Sequence, residues 1–330
     1  MKAFEYAQPT TQAEALALLS PEPGQCELLA GGSDLVGLLE KMVLTPDRVV
    51  NIAEIDSMQQ IEPDSLGGGV MIGAAVHLDD ALDSPLLAMY PAMKQAISGL
   101  GSMQAQAQST LGGDLFRRPS CWYFRSGNGL LAGGGRMVVE GDNRFHAILG
   151  NDGPAKFVSA SRLAPALIAM GATARVIGPA VDDEEFLPLE ELYRTPRREG
   201  ERETALLPNQ VVTHVILPPG EGTSGIYEAR HGAGPGDPMA AAAASLRIEG
   251  GVVCEAKIVL GQVAPTPWVS PQAARAIVGQ RVTPETAEAA GRAAVAKAAP
   301  LSQNEYKVQL AQVAVKRAIL TAGGLETGGF

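Results

Sequence analysis

Residues 28–39, LLAGGSDLVGLL, constrain the fold more than any other stretch. An apolar run, Leu28-Leu29-Ala30, stops at Gly31-Gly32. After Ser33-Asp34, the residues Leu35, Leu38, Leu39 and Met42 recur at helical spacing. The pattern reads as a strand, a tight turn and a helix with a polar cap. Glycine enters φ > 0 freely and lets backbone approach a ligand closely. Such a turn leaves N–H groups pointing outward with a helix dipole behind them, a nest suited to a phosphate or diphosphate. Alone, a Gly-Gly turn is more often a ligand-free turn. Residues 109–116, STLGGDLF, shift that balance by repeating the design through Thr110-Leu111-Gly112-Gly113-Asp114-Leu115. Two such turns could clamp both sides of one diphosphate. Neither GxGxxG nor GxxxxGK[ST] is present, which disfavours a Rossmann or P-loop site.

The remaining pattern is α+β. Thr11 and Glu14 form a capping box for a helix over 12–19. CELLA and DRVVNI read as strands flanking the helix at 35–42, a strand–helix–strand unit in 26–52. VMIGAAV (70–76) is a further strand, 78–100 is mostly helical, 101–160 is rich in loops, 163–172 is a helix and TARVIG a strand. Residues 178–209 carry DDEE, RTPRREGERE and several prolines, an exposed charged connection. Beyond it, QVVTHVILP reads as a strand. Two strand-like runs meeting at Gly250-Gly251 read as a hairpin, followed by helices near 271–279, 284–298 and 303–322. The expected domains are therefore 1–180 (parts 1–60 and 61–180), a connection over 181–209, and a C-terminal antiparallel sheet with packed helices over 210–330.

A net charge of −10 argues against a general grip on nucleic acid. The first residues lack the apolar stretch of a signal peptide, and no run of about 18 apolar residues suggests a membrane span, so the expected location is cytoplasmic. Cys26, Cys121 and Cys254 are an odd, scattered set without CxxC, as in a reducing compartment. His77, His146, His214 and His231 have no second ligand at i+4, so no metal site is expected. Asp182 to Glu185 reads as a solvated loop, and no nucleophile–base pair stands out, so no catalytic side chain is expected. Glycine, 38 of 330 residues against an ordinary share of about 7%, gathers at 31–32, 67–69, 112–113, 127–135 and 232–236, where tight loops are expected.

LLAGGSDLVGLL followed some eighty residues later by STLGGDL resembles the FAD-binding subunits of the molybdenum hydroxylases, the xanthine dehydrogenase, aldehyde oxidoreductase and carbon monoxide dehydrogenase family. The family pattern is roughly AGG[ST][DE]L, then [ST]xGGN[LI]. The resemblance extends from FEYAQPTTQAEALALL to the C-terminal hairpin and helices. RRPSCWYFR (117–125) and NRFHAILGN (143–151) are most similar to the medium subunits of bacterial aldehyde oxidoreductases. It implies a two-part FAD-binding domain followed by the C-terminal domain. It further implies an electron-transfer role: substrate is oxidised at a molybdopterin in a large subunit, electrons cross [2Fe–2S] centres in an iron–sulfur subunit, and FAD passes them to an external acceptor.

By that resemblance Leu28, Leu29, Ala30, Gly31, Gly32, Ser33, Asp34 and Leu35 would wrap the FAD diphosphate. Thr110, Gly112, Gly113 and Asp114 would close the other side, and His146, Ala147 and Ile148 would lie nearer the flavin ring. Four positions depart from the family: Asp114 replaces an Asn, Gln104-Ala105-Gln106-Ala107 a Gln-x-Arg-Asn, Arg162 the acid of a Ser-Asp pair, and Ala229 a lysine. A carboxylate about 6 Å from a phosphate charge costs roughly 3 kcal/mol at an effective dielectric of 20. Arg162 is the expected compensator through a pair with Asp114. The aldehyde oxidoreductase branch can hold a [4Fe–4S] cluster in this loop region, but Cys121 is the only cysteine between 100 and 200, so no cluster is expected and Cys121 reads as a packed thiol. The departures also motivate a second reading, a structural subunit with a decayed flavin site.

Overall fold

In the computed structural model, which describes residues 1–65, 67–180, 182–232 and 236–327, Thr11 starts the first helix as foreseen. Its hydroxyl accepts from the Glu14 N–H, while the Glu14 carboxylate turns to the N–H and hydroxyl of Thr10. The capping box is thus half formed. Strand β1 (Glu5–Ala7), helix α1 (Gln12–Leu18), strand β2 (Cys26–Leu29), helix α2 (Leu35–Glu40) and strand β3 (Arg48–Asn51) build a small parallel sheet, ordered β1-β3-β2. The foreseen strand–helix–strand unit is present, and β1 is an added strand.

A five-stranded sheet follows. Its strands are β4 (Ile61–Pro63), β5 (Val70–Gly73), β6 (Thr173–Ile177), β7 (Glu184–Pro188) and β8 (Val211–Leu217), in the order β4-β5-β8-β6-β7, with every pair antiparallel. This sheet corrects the expected boundary. Val211–Leu217 was grouped with the C-terminal domain, yet it is hydrogen-bonded between β5 and β6. Its neighbours are far away in sequence, so nothing local announces where it pairs. The charged connection, in turn, supplies the edge strand β7. Glu184, Glu185, Phe186 and Pro188 there are exposed, and the two carboxylates and the proline suit an unpaired edge.

Between β5 and β6 run α3 (Leu78–Asp83), α4 (Pro91–Ser98), α5 (Met103–Gln108), α6 (Leu111–Leu115), α7 (Trp122–Arg125), α8 (Arg136–Glu140) and α9 (Ala164–Ala169), so the loop-rich stretch contains four short helices. The glycine cluster at 133–135 is a run of left-handed backbone that also takes in Ala132. Of the cluster at 232–236, residues 233–235 lie outside the described residues.

The last sheet is antiparallel, β12-β11-β10-β9, from β9 (Thr223–Ala229), β10 (Ala240–Glu249), β11 (Val252–Gly261) and β12 (Trp268–Val269), with helices α10 (Pro271–Ile277), α11 (Pro284–Ala294) and α12 (Tyr306–Ala322). The β10–β11 turn is Gly250-Gly251 as expected, both with positive φ. Strand side chains alternate between faces. Ala240, Ala242 and Ala244 face the core under α11 and α12, while Ala243 joins the core of the five-stranded sheet. Alanine on both faces lets α9 and α12 lie close to one strand. That packing joins the C-terminal sheet to the core that holds Leu111 and Leu115 of the second glycine turn.

Candidate functional site

The two glycine turns meet. The Gln108 side-chain amide donates to the Gly31 carbonyl at 2.5 Å, and the Ser33 and Ser109 hydroxyls are 3.0 Å apart. A Cβ on Gly31 would lie 1.8 Å from the Gln108 carbonyl oxygen, so glycine is needed here for close approach of backbone to backbone. Gly32 is the left-handed residue, at φ +70°. Among the described residues, none accepts from the N–H groups of Gly31, Gly32, Ser33 or Asp34. Helix α2 has only six residues, so these free N–H groups, more than any dipole, define the nest.

The second turn differs. Gly112 N–H donates to the Ala74 carbonyl at 2.8 Å, Leu111 N–H to Val76 at 2.9 Å, and Gly113 N–H to the Thr110 hydroxyl at 3.1 Å. Its donors are engaged within the fold. What it offers is backbone without side chains, bound firmly to the end of β5.

Both turns line one cavity of about 190 Å³, with Leu28, Ala30, Gly31 to Leu35, Gly112 and Gly113 on its wall. Arg117, Arg118, Arg202 and Glu203 line it as well. Arg118 pairs with Glu203, Arg202 with Glu27 at 3.4 Å, and Arg117 with Asp237 at 2.6 Å. Arg202 Nε and Glu203 Oε2 are buried without partners among the described residues. Asp34 points away from the nest. Its carboxylate accepts from the Arg118 N–H at 3.0 Å and pairs with Arg125 at 2.8 Å, pinning the 118–125 segment.

The Arg117–Asp237 pair is a common wall with a second cavity of about 330 Å³, since Asp237 and Ser120, which donates to it at 2.7 Å, line that one. Burial would raise the Asp237 carboxyl, but Arg117 and the two hydrogen bonds outweigh it and hold it below the usual range. Trp122, Phe145 and Phe157 give the cavity aromatic walls. Cys121 Sγ lies 3.1 Å from His146 Nε2. Burial pushes the thiol up, and burial together with Lys307 pushes the imidazole down to about 4, so both are neutral. The thiol then donates to Nε2, which puts the imidazole proton on Nδ1. That atom is buried with no partner among the described residues. Cys121 is therefore half of a thiol–imidazole pair, beyond the packed thiol read from sequence.

Comparison with known proteins gives this geometry a family. Residues 2–220 match the model described as FAD binding domain in molybdopterin dehydrogenase, and residues 238–322 match the CO dehydrogenase flavoprotein C-terminal domain. The chain belongs to the FAD-binding subunits of the molybdopterin dehydrogenases. It is 30% identical over 318 residues to the aldehyde oxidoreductase FAD-binding subunit PaoB of Escherichia coli (strain K12), covering 94% of this chain and 96% of that one. It is 26% identical over 325 residues to the carbon monoxide dehydrogenase medium chain of Hydrogenophaga pseudoflava, covering 97% and 96%. The structure of carbon monoxide dehydrogenase from the latter organism matches with a TM-score of 0.74 at 25% identity over 97% of both chains. Quinoline 2-oxidoreductase from Pseudomonas putida 86 also matches, with a TM-score of 0.74; at 21% identity it speaks for the fold alone. The protein is thus an oxidoreductase flavoprotein subunit with FAD as its cofactor.

For this flavoprotein subunit, the free N–H groups of 31–34 and the unpaired Arg202 Nε fit the anionic middle of FAD. Five of the residues expected to contact FAD lie off this cavity wall. Thr110 is fully buried and caps α6. Asp114 accepts from the Ser161 hydroxyl at 2.7 Å and from the N–H groups of Arg162 and Leu163 at 3.1 and 2.9 Å. The Arg162 guanidinium does not pair with Asp114 as expected; it holds Glu228 at 2.6 Å and the Gly99 carbonyl at 2.5 Å. Ile148 lies in the C-terminal core. Leu29 is at the end of β2, off the cavity wall.

Sequence reasoning passed over Arg117, Arg118, Arg202, Glu203, Asp237 and Lys307. The Arg-Arg pair just after the second turn was the available signal. Among the described residues, no group of three or more His, Cys, Asp or Glu is placed to hold a metal ion, and no helix is long and apolar enough to cross a membrane.

Proposed function

We propose that this subunit carries electrons from iron–sulfur centres in one partner subunit to an external acceptor, within a cytoplasmic assembly whose large subunit binds molybdopterin. The observation that carries the reading is the row of free N–H groups at Gly31 to Asp34, on a cavity that the bare backbone of Gly112 and Gly113 also lines. The N–H groups of 31–34 hold the FAD diphosphate. Gly112 and Gly113 leave room for it, and Arg202 offers Nε to a phosphate oxygen. The aromatic cavity beyond Arg117–Asp237 takes the ring end, with the Nδ1–H of His146 available to a ring acceptor atom. When bound, FAD supplies the redox chemistry. The protein orients it.

The relatives are a medium chain and an FAD-binding subunit by name, which supports the assignment to a complex. Affinity purification from the native organism is expected to bring down an iron–sulfur protein and a molybdopterin protein. A chain found alone that turns over a full substrate-to-acceptor reaction would contradict it. The decayed-site alternative loses one of its four motives, because Asp114 is turned onto backbone N–H groups and does not line the cavity.

Calorimetric titration with FAD tests the site. Arg202→Met is expected to weaken binding about tenfold, about 1.4 kcal/mol, in line with one charge-assisted hydrogen bond. Equal affinity in the variant removes Arg202 from the site. A wild-type chain without flavin bands that takes up no FAD would make it a structural subunit.

A further inference from the structure

The second cavity has a charge on its wall with no counter-ion. Lys307, in the first turn of α12, is 1% exposed and lines the cavity. Its ammonium donates to the carbonyls of Phe145 and His146 at 3.1 Å each and of Gln262 at 2.8 Å. Among the described residues, no carboxylate forms an ion pair with it. Lysine is almost never so buried without a pair. Carbonyl oxygens satisfy its N–H groups but bear only partial charge, so a unit positive charge is left inside low-dielectric surroundings.

Holding the 143–151 loop does not require that charge. Neutral amides already do the same work: Asn304 donates to the His146 carbonyl at 3.1 Å, Asn151 to Ala147 at 2.9 Å, and Asn143 to Val138 at 3.2 Å. The other ionisable groups on the cavity wall are Cys121, His146, Arg230, His231 and Asp237. The first two are neutral, Arg230 pairs with Glu228, and Asp237 pairs with Arg117. On the adjoining loop, Asp142 and Arg144 pair with each other. Glu228 is shared between Arg230 and Arg162, so this set is net positive, and Lys307 is its fully buried cation with no carboxylate partner among the described residues.

Resting on the reading that the ring end of FAD enters this cavity, we propose that Lys307 is a potential-setting residue, whose positive charge favours the electron-rich reduced ring over the oxidised one. Lys307 is itself neither oxidised nor reduced. Burial pushes its ammonium down to about 7, so the charge is present near pH 6 and largely gone near pH 8.5. The effect should be strongest on the acid side.

The test is a reductive titration of the full chain reconstituted with FAD, against a redox dye, for wild type, Lys307→Met and Lys307→Arg. At a fixed potential near pH 6, the ratio of reduced to oxidised flavin is expected to fall about tenfold in Lys307→Met, about 30 mV for a two-electron couple. It should stay within about threefold in Lys307→Arg, and the Met effect should fade by about pH 8.5. A Met variant that holds FAD with an unchanged ratio overturns the proposal and leaves the site assignment standing. Should Lys307→Met not fold, wild type alone decides. Extra proton uptake on reduction near pH 7, beyond that of free FAD, supports the proposal, and the slope of free FAD overturns it. Wild type that takes up no FAD overturns the site reading itself.

Discussion

Gly31→Ala is expected to lower FAD affinity by at least about 100-fold and to destabilise the chain by about 1–3 kcal/mol. The added Cβ would sit 1.8 Å from the Gln108 carbonyl oxygen, 2.9 Å from its carbon and 3.3 Å from the Ser109 Cα. All three are backbone atoms, so no rotamer change relieves the clash. One turn must move off the other, breaking the Gln108–Gly31 and Ser109–Ser33 hydrogen bonds. The cradle then opens where the free N–H groups converge. Backbone strain is not the cause, since Gly31 does not have a positive φ. Gly32→Ala is the control. Its Cβ would meet only side chains, Val36 at 3.2 Å and Leu29 at 3.4 Å, and the left-handed φ costs roughly 1–2 kcal/mol. Gly32→Ala should therefore retain much more FAD than Gly31→Ala. Calorimetric titration and thermal melts of both variants check this. Wild-type affinity in Gly31→Ala would mean that the two turns do not form one site.

Where the sequence was legible, punctuation and period agreed over short distances. Leu28 to Leu39 passes from strand to helix through two glycines, and Gly250-Gly251 joins two alternating runs; both local signals are sufficient. β1 is three residues long and β9 contains Gly225, so neither shows a clean period. β8 was legible as a strand but not as a member of its sheet. Its partners, β5 and β6, lie well upstream, and a run buried on both faces has no alternation to reveal its neighbours.

The candidate site divides in the same way. The role proposed for the first turn follows from its own residues. The second turn's role depends on Ala74 and Val76, which take up its N–H groups, and nothing near Gly112 announces them. The orientation of Asp114 is fixed by Ser161 to Leu163, nearly fifty residues on. Reading Asp114 as a ligand contact placed a carboxylate against phosphate; the fold instead uses it inside the core. Likewise, a lone lysine in KVQLAQ carries no sign that its ammonium will be buried among carbonyls.

Asp114→Ala is expected to destabilise the protein by about 2–4 kcal/mol, while Asp114→Asn stays close to wild type. Asp114 is 5% exposed, and its Oδ1 takes the Ser161 hydroxyl and the N–H groups of Arg162 and Leu163. With Ser161 also accepting from Ala164 N–H at 3.0 Å, these contacts satisfy the start of α9. All six residues of α9 are buried, between the five-stranded sheet and β10, so water cannot replace the lost acceptor. Each buried donor left unpaired costs about 1–3 kcal/mol, offset in part by no longer burying a carboxyl. Asparagine keeps an oxygen at the Oδ1 position. Burial raises the Asp114 carboxyl above its ordinary value, against the opposing hydrogen bonds. Folding thus favours its protonated form, and the stability carried that way is full below the ordinary carboxyl range and lost as pH rises through the raised value. Asparagine never ionises, so Asp114→Asn should gain on wild type as pH rises through that value. FAD affinity, measured where both proteins are folded, should change by less than about threefold, because the carboxylate faces α9. Denaturant melts across pH with parallel FAD titrations decide between the two roles. Equal damage from Asn and Ala would mean that the charge, not the acceptor, stabilises α9. A change in FAD affinity above about tenfold at unchanged stability would place Asp114 against the ligand after all.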